Sequence, residues 1–229
     1  MSLTRKQLMA AMMSSGGGSV TPVLPYDAEI EYLQSSGTQY IDTGIVQTTR
    51  NFELTLVLQW TGSTASQFET FFGYMAASPS ITPRCGIHKY QSKWMFGTND
   101  TNVTGVSIDS SKHTVFWTSN ASTQKESLYI DGTKIFEGTT TSTGLAGNTI
   151  RFFLGCRNRN GSTENPCYAK FYSLNFKKFG EAAYTTLTAE WNFIPVRVGQ
   201  VGYMYETVGE QLYGNSGTGS FTLGNDITT

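Results

Sequence analysis

Charge is scarce in this chain. Aspartate, glutamate, lysine and arginine make up 14% of its 229 residues, against roughly 25% in an ordinary globular domain. The formal net charge is −1, which excludes a general electrostatic grip on nucleic acid. Histidine is scarcer still. His88 and His113 stand far apart, each among non-acidic sequence neighbours and without a partner at metal-ligand or triad spacing. Three cysteines cannot build a dense disulfide framework. No apolar run approaches the roughly 18 residues of a membrane span, so no membrane insertion is expected.

Threonine, serine, asparagine and glycine fill the gap. Aromatics reach 13% and glycines number 24, a mixture suited to short strands joined by tight turns. At 25.2 kDa an all-β chain needs no division into two cores.

The first 25 residues read differently from the rest. Thr4 and Gln7 stand at capping-box spacing, and the residues after them favour helix. A short helix is expected over 5–13. Leu8 with Met12, and Met9 with Met13, fall four apart and would form one adaptable apolar stripe that docks on a partner. The apolar stretch 8–13 is shorter than the core of a secretion signal. A Ser/Gly run over 14–19 reads as a flexible linker, and Thr21-Pro22-Val23-Leu24-Pro25 as an extended one.

From Tyr26 onward apolar residues recur at period two. Over 51–60, Phe52, Leu54, Leu56, Leu58 and Trp60 share a face, while Glu53, Thr55 and Gln59 take the other, with Val57 the exception. Strands are also expected over 112–119, 149–156, 167–176 and 189–196, with two short ones within 202–223. Asp131-Gly132 between two such runs predicts a primed hairpin turn. The run 157–162 reads as a polar loop, and 61–67 and 138–147 as Thr/Ser/Gly loops. Turns every eight to fifteen residues or so predict an all-β antiparallel two-sheet sandwich.

Three stretches together carry a resemblance. One is Glu31-Tyr32-Leu33-Gln34-Ser35-Ser36-Gly37-Thr38-Gln39-Tyr40-Ile41-Asp42-Thr43-Gly44. A second is Phe171-Tyr172-Ser173-Leu174-Asn175-Phe176 with Trp191-Asn192-Phe193-Ile194-Pro195-Val196. The third is Val201-Gly202-Tyr203-Met204-Tyr205-Glu206, leading to Leu212-Tyr213-Gly214-Asn215-Ser216-Gly217-Thr218-Gly219-Ser220-Phe221. This order resembles the concanavalin A-like lectin/glucanase (laminin G-like) jelly-roll domains of gut bacterial surface proteins and of their phages and prophages. The resemblance implies a jelly-roll domain over 26–229 behind an anchor and linker over 1–25. Relatives often carry an acidic residue where this chain has Asn192.

Catalytic chemistry is hard to find. Glucanases of this broad fold cluster carboxylates on one strand, and retaining hydrolysis needs two about 5 Å apart. Asp27, Glu29 and Glu31 alternate correctly but open the domain beside a proline, where a solvated first strand is expected. Asn99-Asp100-Thr101-Asn102 lacks the carboxylates of a tight calcium site. Neither a catalytic residue, a metal nor a cofactor is assigned. Cys156 and Cys167 are expected as buried thiols rather than a disulfide.

Sugar binding asks for an aromatic plate beside fixed polar groups. Arg84, His88, Tyr90 and Trp94 surround one Lys/Gln/Ser-rich hairpin, and Arg157, Asn158, Arg159 and Asn160 make the most polar stretch of the chain. These eight are the candidate carbohydrate contacts. The resemblance and the lack of an export signal favour a phage virion structural protein: a head fibre, tail or capsid-decorating protein assembled in the host cytoplasm. It would dock to other particle proteins through Leu8, Met9, Met12 and Met13, be displayed in homo-oligomeric copies, and attach to host glycans. The alternative is a non-catalytic carbohydrate-binding module of a gut bacterial surface protein.

Overall fold

The computed structural model describes residues 23–63, 68–77, 82–98, 102–139, 145, 147–180 and 184–227. The expected helix with Leu8, Met9, Met12 and Met13, and the linker after it up to residue 22, lie outside the described residues. So does most of the Asn99-Asp100-Thr101-Asn102 run.

Every regular element among the described residues is a strand. Chain order begins β1 (Ala28–Glu29), β2 (Leu33–Ser36), β3 (Ile41–Val46), β4 (Phe52–Trp60), β5 (Glu69–Met75), β6 (Arg84–Tyr90), β7 (Lys93–Gly97) and β8 (Asn102–Ser107). It continues with β9 (Lys112–Asn120), β10 (Lys125–Ile130), β11 (Thr133–Thr139), β12 (Arg151–Leu154), β13 (Arg157–Arg159) and β14 (Ser162–Glu164). The last five are β15 (Tyr168–Phe179), β16 (Leu187–Val198), β17 (Val201–Glu206), β18 (Gln211–Tyr213) and β19 (Thr222–Leu223).

Two sheets result. The first runs β11-β10-β9-β4-β15-β16-β17-β18, with β1, β2 and β19 paired alongside. The second runs β14-β13-β5-β6-β7-β8, with β12 and β3 joined at β5. All pairings are antiparallel except β13 on β5. The expected sandwich is therefore present.

The alternation read in β4 is the alternation observed. Phe52, Leu54, Leu56 and Leu58 are fully buried, and the residues between them are half-buried. Each such side chain contributes roughly 1.5–3 kcal/mol when removed from water. Opposite them the second sheet supplies Phe72, Tyr74, Ile87 and Phe96. Phe72 stacks on Phe152 with ring centroids 4.3 Å apart, and Phe52 meets Trp117 edge to face at 4.7 Å. Cys85, Cys156 and Cys167 are buried and form no disulfide among the described residues. Burial pushes the Cys156 thiol up to about 12.

Asp131 and Gly132 take positive φ, 51° and 79°, and turn β10 into β11 as the sequence predicts. One expected loop is a hairpin instead. Within 157–162 the chain forms β13, turns at Asn160 (φ 47°) and Gly161 (φ 97°), and returns as β14. Glu164 decides this. It sits across from Arg157 and accepts from both Arg157 and Arg159, which gives an otherwise polar segment a paired face.

Candidate functional site

Register fixes which side chains of the second sheet face the core and which face away. Lys89 lies across from Trp94, and Ile87 from Phe96. Trp94 and Phe96 belong to the core, so Lys89 points inward as well. Arg84, Gly86, His88 and Tyr90 then share the outer face of β6. They continue across β7 into Gly97, Met95 and Lys93, and across β5 into Met75, Gly73 and Thr70. On β13, Arg157 is level with Gly73 and Arg159 with Met75.

The outer face is thus a set of rows. Arg159, Met75 and Arg84 form one, with the two arginines two strand spacings, or about 10 Å, apart. The next row is Arg157, Gly73, Gly86 and Gly97, a trough without side chains over three strands. The His88 imidazole lies in it. A Cβ on Gly86 would overlap the ring, and one on Gly73 would stand 3.3 Å from its Cε1. His88 Nδ1 meets Thr70 Oγ1 at 2.9 Å, and Phe68 packs on the ring at 5.0 Å.

Phe68 organises the rim. Its ring is 5.8 Å from that of Tyr90 and 5.1 Å from the Arg157 guanidinium. Arg157 in turn donates to Glu164 through Nε at 3.0 Å and Nη2 at 2.5 Å, and Arg159 donates to the other carboxylate oxygen at 2.7 Å. Sequence reading missed Phe68, the one aromatic at the end of a Thr/Ser-rich run; an aromatic directly before a strand is its only local signal.

The eight candidate residues therefore divide. Trp94 is 1% exposed and packs on Phe71 in the core, so it cannot serve as a sugar plate. The polar composition of its hairpin concealed an inward-facing position. His88 is buried beneath the rim. Asn158 has both ends of its amide committed, Nδ2 to the Arg151 carbonyl and Oδ1 to the Gly161 N–H. Arg157 is 8% exposed and held by Glu164. Tyr90, Arg84, Arg159 and Asn160 reach solvent around the rim. The Arg84 Nε is withdrawn from solvent and has no acceptor among the described residues.

Other sequence expectations meet different geometry. His113 is not alone: Asp131 stands 2.7 Å from Nδ1 and Asp109 3.0 Å from Nε2. Asp27, Glu29 and Glu31 fasten neighbouring chain. Asp27 accepts from the Gly199 N–H, Glu29 from the Tyr26 hydroxyl and Glu31 from the Asn225 amide. Among the described residues, no group of three or more His, Cys, Asp or Glu could hold a metal ion.

A second concavity lies where the chain's closing loop meets its early strands. It is a cleft of about 420 Å³ lined by 37–40, Cys156, Thr163, Pro166 and 216–218. Its walls are laced by backbone bonds from Ser216 N to Tyr40 O (2.8 Å) and from Thr218 N to Thr38 O (3.1 Å). Asn215 Oδ1 accepts from the N–H groups of Tyr40 and Gly217. The glycine-rich stretch that carries the family resemblance is one wall of this cleft.

No family profile matches this chain, and no curated protein matches it in sequence. Solved structures share its fold. One is provisionally described as a carbohydrate-binding protein from Bacteroides ovatus. It is 12% identical over 87% of this chain, with a TM-score of 0.61, and this chain spans 61% of that structure. Another is the carbohydrate-binding module (CBM40) of the Ruminococcus gnavus IT-sialidase, bound to α2,3-sialyllactose. It is 11% identical, with a TM-score of 0.50, over 62% of this chain and 86% of that one. These likenesses show that the chain shares their β-sandwich fold. They lend no support to a virion protein.

Proposed function

We propose that residues 26–229 form a non-catalytic carbohydrate-binding module of a bacterial surface protein. A glycan would bind across the outer face of the second sheet, between Arg84 and Arg159 and against Tyr90 and Phe68. The observation that carries this reading is the orphan Arg84 Nε. A buried guanidinium N–H without an acceptor among the described residues is costly, and Arg84 stands on a face that also offers an aromatic rim. Sugar oxygens accept from guanidinium groups, and the apolar C–H face of a pyranose packs on an aromatic ring. The fold shared with carbohydrate-binding structures supports the same class. Residues 1–25 would then tether the module to its neighbours, with Leu8, Met9, Met12 and Met13 as the contact stripe.

A glycan array probed with the full chain tests this. Selective binding is expected, reduced at least about tenfold by Arg84→Ala and by Tyr90→Ala with the far-UV spectrum unchanged; tenfold is ~1.4 kcal/mol. Absence of binding across the array, or binding indifferent to both substitutions, overturns it.

A further inference from the structure

We infer that the cleft between the 37–40 turn and the 216–218 loop is a second, separate binding site, taking an uncharged hydroxyl-rich ligand such as a neutral pyranose. It does not depend on the outer-face site and shares no residue with it.

The central group is Gln39. Only 4% of it is exposed. Its Oε1 accepts from the Ser36 N–H at 2.8 Å, the Ser36 hydroxyl at 3.2 Å and the Ser35 hydroxyl at 3.3 Å. A backbone N–H can only donate, so the oxygen must be the end that faces Ser36. The amide nitrogen is left with two N–H donors, and among the described residues it has no acceptor. Gln39 lines the cleft, so these two donors are available there to a ligand oxygen. The hydroxyls of Thr163, Ser216 and Thr218 on the same cleft also make no side-chain hydrogen bond to the described residues.

The lining sets the ligand's chemistry. It holds no Asp, Glu, Lys, Arg or His. Its two ionisable groups stay neutral. Burial raises the Tyr40 hydroxyl, assisted by Cys156 and Asp42, and burial pushes Cys156 up to about 12. A charged ligand would lose hydration here and gain no counter-ion. A neutral ligand presenting several hydroxyls can both accept from Gln39 and exchange bonds with the three free hydroxyls. The half-buried Tyr40 ring, stacked on Phe153 at 4.7 Å, gives the cleft an apolar side. The size, about 420 Å³, falls within the roughly 300–1,000 Å³ of small-molecule pockets. Because both walls are already bonded together, little ordering is left to be done on binding.

The test is an amide chemical-shift titration of the full chain with methyl glycosides of glucose, galactose and mannose, and with glucuronate as the charged control. Saturable shifts are expected at the Gln39 side-chain amide and at 37–40 and 216–218 for at least one neutral glycoside, with a Kd on the order of 1 mM. Thr163→Trp, a substitution on an exposed rim residue, should abolish them. Gln39→Glu keeps the oxygen that Ser35 and Ser36 need and removes the donors, and should weaken binding at least about tenfold. Arg84→Ala should leave these shifts unchanged, which separates this site from the outer face. No shift at these residues with any neutral glycoside overturns the inference, as do shifts that survive Thr163→Trp. Stronger shifts there with glucuronate overturn the uncharged class.

Discussion

The α-carbon of Gly217 lies against the carbonyl oxygen of Thr38. A Cβ built at Gly217 would fall inside the van der Waals envelope of that oxygen, and it would also stand 3.1 Å from Tyr40 Cδ1. The obstacle is backbone, which cannot swing aside. Gly217→Ala must therefore push the closing loop away from the early strands and strain the bonds of Ser216 to Tyr40 and Thr218 to Thr38. A loss of about 1–3 kcal/mol is expected, read as a lower midpoint in urea or heat. An unchanged midpoint would mean that the loop is not held where it lies.

A pH dependence follows from His113. Both ring nitrogens face carboxylates, so both must donate and the ring must be a cation for the cluster to be complete. Burial, the largest single influence, disfavours that cation. The hydrogen bonds and charges of Asp131 and Asp109 together outweigh it and raise the histidine above its ordinary value. A raised folded value means that this stabilisation is present in full below the unfolded value, about 6.5, and is lost as pH rises through the folded value. The wild-type midpoint temperature should fall across that window more steeply than that of His113→Gln. Parallel curves would show that the cluster contributes nothing.

The inward-facing Lys89 should behave as half of a buried pair. Its Nζ is 3.1 Å from Glu69 Oε1, and both side chains are buried. Glu69 also accepts from the Trp60 indole N–H and the Tyr168 backbone N–H, so its charge bridges the two sheets. Lys89→Met leaves that carboxylate uncompensated and should cost about 3–5 kcal/mol. Adding Glu69→Gln should recover a large part of the loss, measured as a positive coupling in a double-mutant cycle. Strict additivity would overturn the pairing.

Trp94 and Tyr90 lie four residues apart and should separate stability from binding. Trp94→Ala opens a core cavity and should cost about 3–5 kcal/mol. Tyr90→Ala removes a ring that is 37% exposed. It should move the unfolding midpoint by little, within about 0.5 kcal/mol, while weakening any glycan binding at the outer face.

These two residues also mark where the sequence stops being informative. Strand β4 could be read directly because its alternation is broken only at Val57 and its partners merely continue it. The Asp131-Gly132 turn could be read because its backbone requirement is local. The β6–β7 hairpin could not. Its inner face holds Lys89, which is tolerable only because Glu69, twenty residues earlier, is brought opposite it by β5. That pairing inverts the apparent polarity of the hairpin and sends Trp94 inward. Phe68 and the Gln39 cleft were hidden for the same reason. Each depends on segments distant in sequence being brought together.

The pairing of the first strand with residues 226–227 has a mechanical consequence. The Ile227 N–H donates to Glu29 O, Ile30 bridges Asp226, and Arg197 grips Asp226 at 2.7 and 2.6 Å. The incoming and outgoing chain are therefore antiparallel neighbours at one corner of the sandwich. Tension applied through both ends would load these bonds one after another, as in a zipper, instead of shearing many at once. The corner would yield at low force while the sheets behind it remained intact, so a pull on the module would be absorbed first by a few residues at its seam.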